Sequence, residues 1–461
     1  MRYNNLFIPT AALLTLMSAC HNGNSDRLSD KQLLEEFANP SAQWRAKPFW
    51  AWNGKLDKDE LLRQVEVLDS MGFGGYFMHS RVGLQSEYLG DEWFELTNAV
   101  ADYGKERGME NWLYDEDRWP SGTAGGYVTQ NPEFRMNFMT MKIHRPDDFK
   151  WDDTYEAVFA CRLDSTSYTG LRRLKGANDL SAVKPEESIL AFFREKAADT
   201  DFVNGYSYVD AMNREATDTF IALTHEKYKE KCGDRVGSSI KGIFFDEPHR
   251  GPLFTAFSND NANRPLMAPW TNALPEKYKE AYGTDIIDEL PRLFLHQDGE
   301  TYDKVKWQYC NVAQQLFLDN FVKPLYEWCD NNGMELTGHV LHEDDFVSQV
   351  SMQGSLMRTY EYMHVPGIDI LTQSNRNYWV AKQLQSVARQ TGKKMLLSEL
   401  DGCTGWQMTF DDYKEIGDWQ ALFGINLRCP HLSWYTMEGR QSVTIPLLSI
   451  SSQDGGKNTV M

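Results

Sequence analysis

The run Gly242-Ile243-Phe244-Phe245 has no polar alternation and stops at two adjacent carboxylates, Asp246 and Glu247, followed at once by Pro248. Such a run predicts a strand buried on both faces, as in a parallel sheet covered by helices. Similar apolar runs recur and end on polar or aromatic clusters, so strands are expected over 47–54, 72–80, 109–119, 241–249, 334–344, 367–373, 393–402 and 424–435. Between them the apolar positions fall at helical spacing: after the capping residue Asp57 they are Leu61, Leu62, Val65, Leu68 and Met71. Further helices are expected over 91–107, 209–232, 302–331, 378–390 and 411–423. The alternation breaks at 134–209, where short alternating runs separated by polar turns predict a small antiparallel β insertion after the third strand. Eight strands with interleaved helices define the expected fold class, α/β, a (β/α)8 TIM-type barrel spanning 44–440. No GxGxxG or Walker-type loop follows the first strand, which argues against a doubly wound nucleotide-binding sheet.

Composition changes this picture only at its edges. The chain has 461 residues and 41% hydrophobic residues, enough to bury a large core. A net charge of -19 without a basic run excludes a nucleic-acid partner and leaves neutral ligands such as polysaccharides open. The 14 Trp and 21 Tyr suit sugar stacking and a bulky core equally well. Residues 1–20 read as a lipoprotein signal peptide: Arg2, an apolar stretch from Leu6 to Met17, then Ser18 and Ala19 before Cys20, the expected lipidation site. Export to the periplasm, outer membrane or cell surface is expected, with contact to membrane only through that anchor. Residues 21–43 read as a polar tether. Cys161, Cys232, Cys310, Cys329, Cys403 and Cys429 form no CxxC pair and are expected to be mostly buried thiols.

In a barrel of this class, chemistry sits at the C-terminal ends of the strands. Glu247 closes the fourth strand and Glu399 the seventh, which places two carboxylates across one mouth, as glycosidic cleavage requires. Asp246 is expected to hold a neighbour in place, and Glu343 is the substitute candidate. Substrate contacts are expected from the other strand-end residues: Asn53, His79, Arg81, Asp115, Asp117, His339, His342 and Gln373. Trp119, Trp406 and Trp434 are candidate platforms for sugar faces. A metal pair of His339 and His342 is disfavoured, because a spacing of three on a strand turns the side chains to opposite faces.

The segments PFWAWNG, GGYFMHSR, WLYDEDRWPSG, FFDEP, GHVLHED, YEYMHVPGID and LLSELDG together resemble the catalytic barrel of glycoside hydrolase family 106, the α-L-rhamnosidases. The resemblance implies hydrolysis of a terminal deoxysugar from an oligosaccharide or polysaccharide, with Glu247 as acid, Glu399 as base, and inversion at the anomeric carbon. It also implies a calcium ion near the site, without identifying ligands; no cofactor is required for the chemistry itself. Residues 441–461 have no helical period, and the expectation is a frameshifted tail with the last barrel helix missing. The alternative function is a non-catalytic glycan-binding lipoprotein or an inactive truncated barrel. A metal-dependent hydrolase of amides or esters lacks a His-x-His pair and ranks below both.

Overall fold

The computed structural model describes residues 29–253, 266–300, 302–405 and 407–437. Parallel strands β1 (Phe49–Trp52), β2 (Gly75–Ser80) and β3 (Glu110–Tyr114) open the barrel. Strands β4 (Asn137–His144), β5 (Ala157–Asp164), β6 (Ser167–Leu174) and β7 (Ser188–Lys196) lie outside it, and β8 (Ile240–Asp246) re-enters it. After β9 (Leu266–Trp270) and β10 (His296–Gln297), the ring continues through β11 (Glu335–His339), β12 (Val365–Asp369), β13 (Leu397–Leu400), β14 (Leu427–Pro430) and β15 (Ser433–Trp434). The sheet order is β14-β13-β12-β11-β8-β3-β2-β1-β15. Because β14 pairs with β13 while β15, two residues further on, pairs with β1, one run of chain closes the ring. The pair Asn53 and Thr436 stitches that closure: the Asn53 amide donates to the Thr436 carbonyl at 2.9 Å, and the Thr436 N–H donates back at 3.2 Å.

The two-residue period of a strand decides what each side chain meets. Phe49, Phe77, Trp112, Tyr114, Phe244, Val365, Leu397 and Leu427 point inward and form the barrel's own core. Their outward neighbours, among them Trp50, Trp52, Tyr76, Leu113, Ile243 and Leu336, pack under the helices in a separate, larger core. Phe49 meets Phe77, Tyr114 and Phe244 edge-on at centroid distances of 5.6, 5.7 and 4.7 Å, contacts worth about 0.5–1.5 kcal/mol each beyond burial. Gly338 has φ +141°, and a Cβ there would stand 2.0 Å from the Phe245 carbonyl oxygen. Only glycine lets β11 run this close to β8 and deliver His339 next door.

Helices connect the strands at the expected places, three more (Ile286–Phe294, Phe346–Met352 and Leu356–Tyr360) lie where none is expected, and two of the expected ones are broken. The segment 209–232 is not one helix: Asn213 caps Arg214–Leu223, and after a break at Thr224 a second helix runs over His225–Cys232. The long helix before β11 runs as Lys304–Phe317 and Lys323–Asn331 joined by a π-helical turn, Leu318–Val322.

The inserted sheet is larger than its sequence suggests, with order β10-β6-β5-β7-β4-β9. Strands β4, β5 and β7 lie close to the predicted runs, while β6 carries the polar sequence Thr169-Gly170-Leu171-Arg172-Arg173 and shows no clear alternation. Strand β9 lies in a stretch that reads as loop, because its five residues gain strand geometry only by pairing antiparallel with β4. Among the described residues no helix is long and apolar enough to cross a membrane. Cys20, Trp406 and the tail 441–461 lie outside the described residues.

Candidate active site

One pleat above the inward apolar layer, the same inward positions become polar. Two residues beyond Phe77 comes His79, beyond Phe244 comes Asp246, beyond Thr337 comes His339, beyond Leu397 comes Glu399, and beyond Cys429 comes His431. Asp369 ends β12 opposite Glu399 in register, and His339 ends β11 opposite Asp246. These groups floor a cavity of about 240 Å3 lined by Arg81, Val82, Arg118, Trp119, Phe202, Asp246, Glu247, His339, Asp369, Leu371, Glu399 and His431. Glu247 has the wrong parity for an inward side chain, since it follows Asp246 directly. Its backbone takes φ +48°, a left-handed conformation unusual for glutamate, and this turn swings its carboxyl into the same mouth.

His339 is the hub. Its Nε2 lies 2.6 Å from Glu399 Oε2 and 3.7 Å from Asp246 Oδ1, while its Nδ1 faces Glu247 Oε1 at 3.9 Å. The carboxylates of Glu247 and Glu399 therefore stand against different nitrogens of one imidazole. Burial opposes a charge on His339, but the bond to Glu399 and the surrounding carboxylates hold its pKa well above the ordinary histidine value. Burial likewise pushes Glu399 up, and the His339 bond and charge, helped by His431 and Arg81, override it and leave its pKa below the ordinary value. For Glu247, burial dominates and pushes its pKa up to about 8, although the His339 charge and the Trp119 indole N–H, donating at 2.6 Å, pull the other way. Asp246 is raised to about 6 by burial and the Glu399 charge, and it accepts from the Tyr114 hydroxyl at 2.6 Å. Burial and the Glu399 charge push Asp369 well above the ordinary value too, so of the four carboxyls lining the cavity Asp246, Glu247 and Asp369 are pushed toward the neutral acid and Glu399 is the one held toward the carboxylate.

Around this pair the groups are fixed in place. Arg81 can only donate, so His79 Nε2 accepts from Nη1 at 3.0 Å, and burial keeps His79 neutral. The second arm, Nη2, lies 3.4 Å from His431 Nε2, which stands 3.8 Å from Glu399 Oε1. His79 stacks flat on Tyr114 with centroids 3.6 Å apart and lies beneath the cavity rather than in its lining.

The acidic cluster after β3 works inward. Asp115 accepts the Ser121 hydroxyl, and Asp117 accepts from Ser80 Oγ at 2.6 Å and Asn204 Nδ2 at 3.0 Å. Glu116 gathers the backbone N–H groups of Asp117, Gly122, Thr123, Ala124 and Gly125 around its carboxyl. These carboxyls shape a tight loop that presents Arg118 and Trp119 to the cavity.

The other strand-end residues sit apart from the lining. Asn53 is engaged in barrel closure and Trp434 is buried in the barrel core. His342 is exposed, and Gln373 lies four residues beyond the end of β12, which stops at Asp369. Glu343 sits behind Asp369, accepting from its backbone N–H at 2.8 Å and from the Tyr360 hydroxyl at 3.2 Å. Asp369, His431, Arg118 and Phe202 join the site without having been singled out in the sequence. His431 carried a signal, a polar residue two positions above the inward Cys429. Phe202 carried none, because it arrives from the inserted sheet.

Two sets of donor atoms could gather round a cation: Asp246, His339 and Glu399, or Glu247, His339 and Asp369. Each offers two carboxylates and one imidazole nitrogen, whereas calcium takes six to eight oxygens. Among the described residues these sets do not fit calcium, and the 2.6 Å contact between His339 and Glu399 is a hydrogen-bond distance. A roomier cavity of about 750 Å3 lies elsewhere, between Met212, Thr271, Lys277, Leu316 and Asp319, and contains none of these groups.

No protein-family model matches the chain, and no curated protein matches it in sequence. Among solved structures it is similar to the rhamnosidase from Novosphingobium sp. PP1Y, with a TM-score of 0.62 at 14% identity over 91% of this chain. The chain spans 58% of the length of that enzyme. A weaker likeness, TM-score 0.41 at 9% identity, covers 89% of this chain and 91% of the endo-1,4-beta-mannanase from Rhizomucor miehei. The first similarity supports the barrel fold.

Proposed function

We propose that this chain is a glycoside hydrolase that removes a terminal sugar, α-L-rhamnose, from a complex glycan. Glu247 acts as the acid that protonates the leaving oxygen, and Glu399 acts as the base that draws a proton from the attacking water. The observation that carries the reading is the split between two carboxyls in one cavity: Glu247 pushed up to about 8, Glu399 held below its ordinary value. Pairs of groups driven apart in this way mark acid and base assignments. The imidazole between them favours the wider carboxylate spacing of inverting enzymes, about 6.5–9.5 Å, over the ~5–5.5 Å of retaining ones. A cavity of about 240 Å3 suits a single terminal ring, being smaller than the ~300–1,000 Å3 of sites for drug-sized ligands. The fold-level likeness to a rhamnosidase and the sequence resemblance support rhamnose as the sugar.

Arg81, His431 and Asp369 line the cavity where ring hydroxyls would sit, and His339 holds Glu399 ionised between turnovers. A barrel domain over 44–440 and an exported protein lipidated at Cys20 complete the proposal. The test is hydrolysis of a panel of aryl glycosides, α-L-rhamnoside included, by the wild type and by Glu247→Gln and Glu399→Gln. Turnover of an α-L-rhamnoside with a basic leaving group such as methoxyphenyl, lost by both variants, supports the reading. A folded wild type inert on every sugar refutes it in favour of glycan binding without catalysis.

A further inference from the structure

Resting on the assignment of Glu247 as acid, we propose that the turn Asp201–Val203 forms a leaving-group subsite, in which Phe202 selects the sugar unit next to the one released. A general acid must reach the oxygen of the departing group, so that group lies on the Glu247 side of the cavity. On this side stands Trp119, whose indole N–H donates to Glu247 at 2.6 Å, and edge-on to it Phe202, with ring centroids 6.4 Å apart. Both rings are accessible, Trp119 being 37% and Phe202 64% exposed, and both line the cavity. Exposed aromatic rings at a cavity mouth offer the flat apolar surface that the C–H face of a pyranose covers.

The turn is held in place for this task. Thr200 and Tyr206 pair across its base, and the Thr200 hydroxyl accepts from the Phe202 N–H at 3.3 Å. Val203 is buried beneath it. The Asn204 amide donates to Asp117 Oδ2 at 3.0 Å and to the Gly125 carbonyl at 2.9 Å, and Arg118 donates to the Asp201 carbonyl at 3.0 Å. Three bonds therefore clamp a turn borne by the inserted sheet onto the loop that bears Trp119. A turn fixed before binding loses little backbone freedom when the ligand arrives, which favours selective use of the side chain it carries.

The experiment compares kcat/KM on α-L-rhamnosyl fluoride, whose leaving group is a bare ion, with kcat/KM on an α-L-rhamnosyl-glucopyranose disaccharide. For Phe202→Ala the ratio of disaccharide to fluoride is expected to fall about tenfold (~1.4 kcal/mol), mainly through KM for the disaccharide, and Phe202→Tyr is expected to restore it. Thermal unfolding of the variants checks that the turn is intact. A ratio unmoved by Phe202→Ala, in protein that turns over the fluoride, overturns the subsite while the glycosidase reading stands. Failure of the wild type to hydrolyse either substrate overturns both.

Discussion

Replacing His339 by Asn removes the group that sets both carboxyls, and the structure fixes the direction of each change. His339 Nε2 lies 2.6 Å from Glu399, a charge-assisted bond worth roughly 1.5–3 kcal/mol. Its loss lets burial dominate and raises the Glu399 pKa. The contact to Glu247 at 3.9 Å also lowers that group's pKa, so the same substitution raises Glu247 further above about 8. In a pH profile of kcat/KM the acid limb follows ionisation of the base and the alkaline limb follows loss of the acid's proton. Both limbs are therefore expected to move to higher pH together. Damage to packing lowers the height of the profile without moving its limbs, so position separates the two causes. A folded Asn variant whose acid limb stays in place would refute the reasoning.

Three further outcomes follow from the same geometry. Proton NMR of the sugar released from an α-L-rhamnoside is expected to show the β anomer first; initial α product would contradict the wide spacing inferred from the interposed imidazole. Burial raises the carboxyls of Asp210, Glu343 and Asp401 to about 7 each, so the folded chain holds protons there that the unfolded chain has lost. The sign is negative: stability falls as pH rises from about 4 to about 7. His339, raised by Glu399, adds to the loss at still higher pH, whereas the contribution of Glu399 disappears only below its ordinary range. Calorimetry should give a Tm higher at pH 5 than at pH 8 by about 2 °C or more, and the opposite order would show that these carboxyls are ionised in the fold. Phe244→Ala, in a barrel core where the ring touches Phe49, Phe77 and Tyr114, is expected to cost about 3–5 kcal/mol in denaturant unfolding, and a loss under 1 kcal/mol would mean the core collapses around the gap.

The barrel was legible because its strands are buried on both faces and leave unbroken apolar runs, such as Ile243 to Phe245. Glu247, Glu399, His339 and Arg81 were within reach because those runs end on them. What the runs hide is parity. Asp369 lies inward at the end of β12, yet the run 367–373 points to Gln373, since Ile370 and Leu371 extend the apolar pattern past the last paired residue. Glu247 enters the site only through its left-handed backbone, which no periodicity announces. Asp115 and Asp117 look like chemistry in sequence but are engaged in structural hydrogen bonds, Asp115 to Ser121 of its own loop and Asp117 to Ser80 and Asn204. Strands β6 and β9 were illegible for another reason: their pairing partners, distant in sequence, make them strands.

The most direct test of the central claim is the leaving-group dependence of Glu247→Gln against the wild type, measured as kcat/KM on aryl α-L-rhamnosides from dinitrophenyl to methoxyphenyl. If Glu247 is the acid, the variant keeps substantial rate on dinitrophenyl, whose oxygen needs no proton, and loses it steeply as the leaving group becomes more basic, while the wild type varies little. An equal loss across the series, or none, would contradict the account.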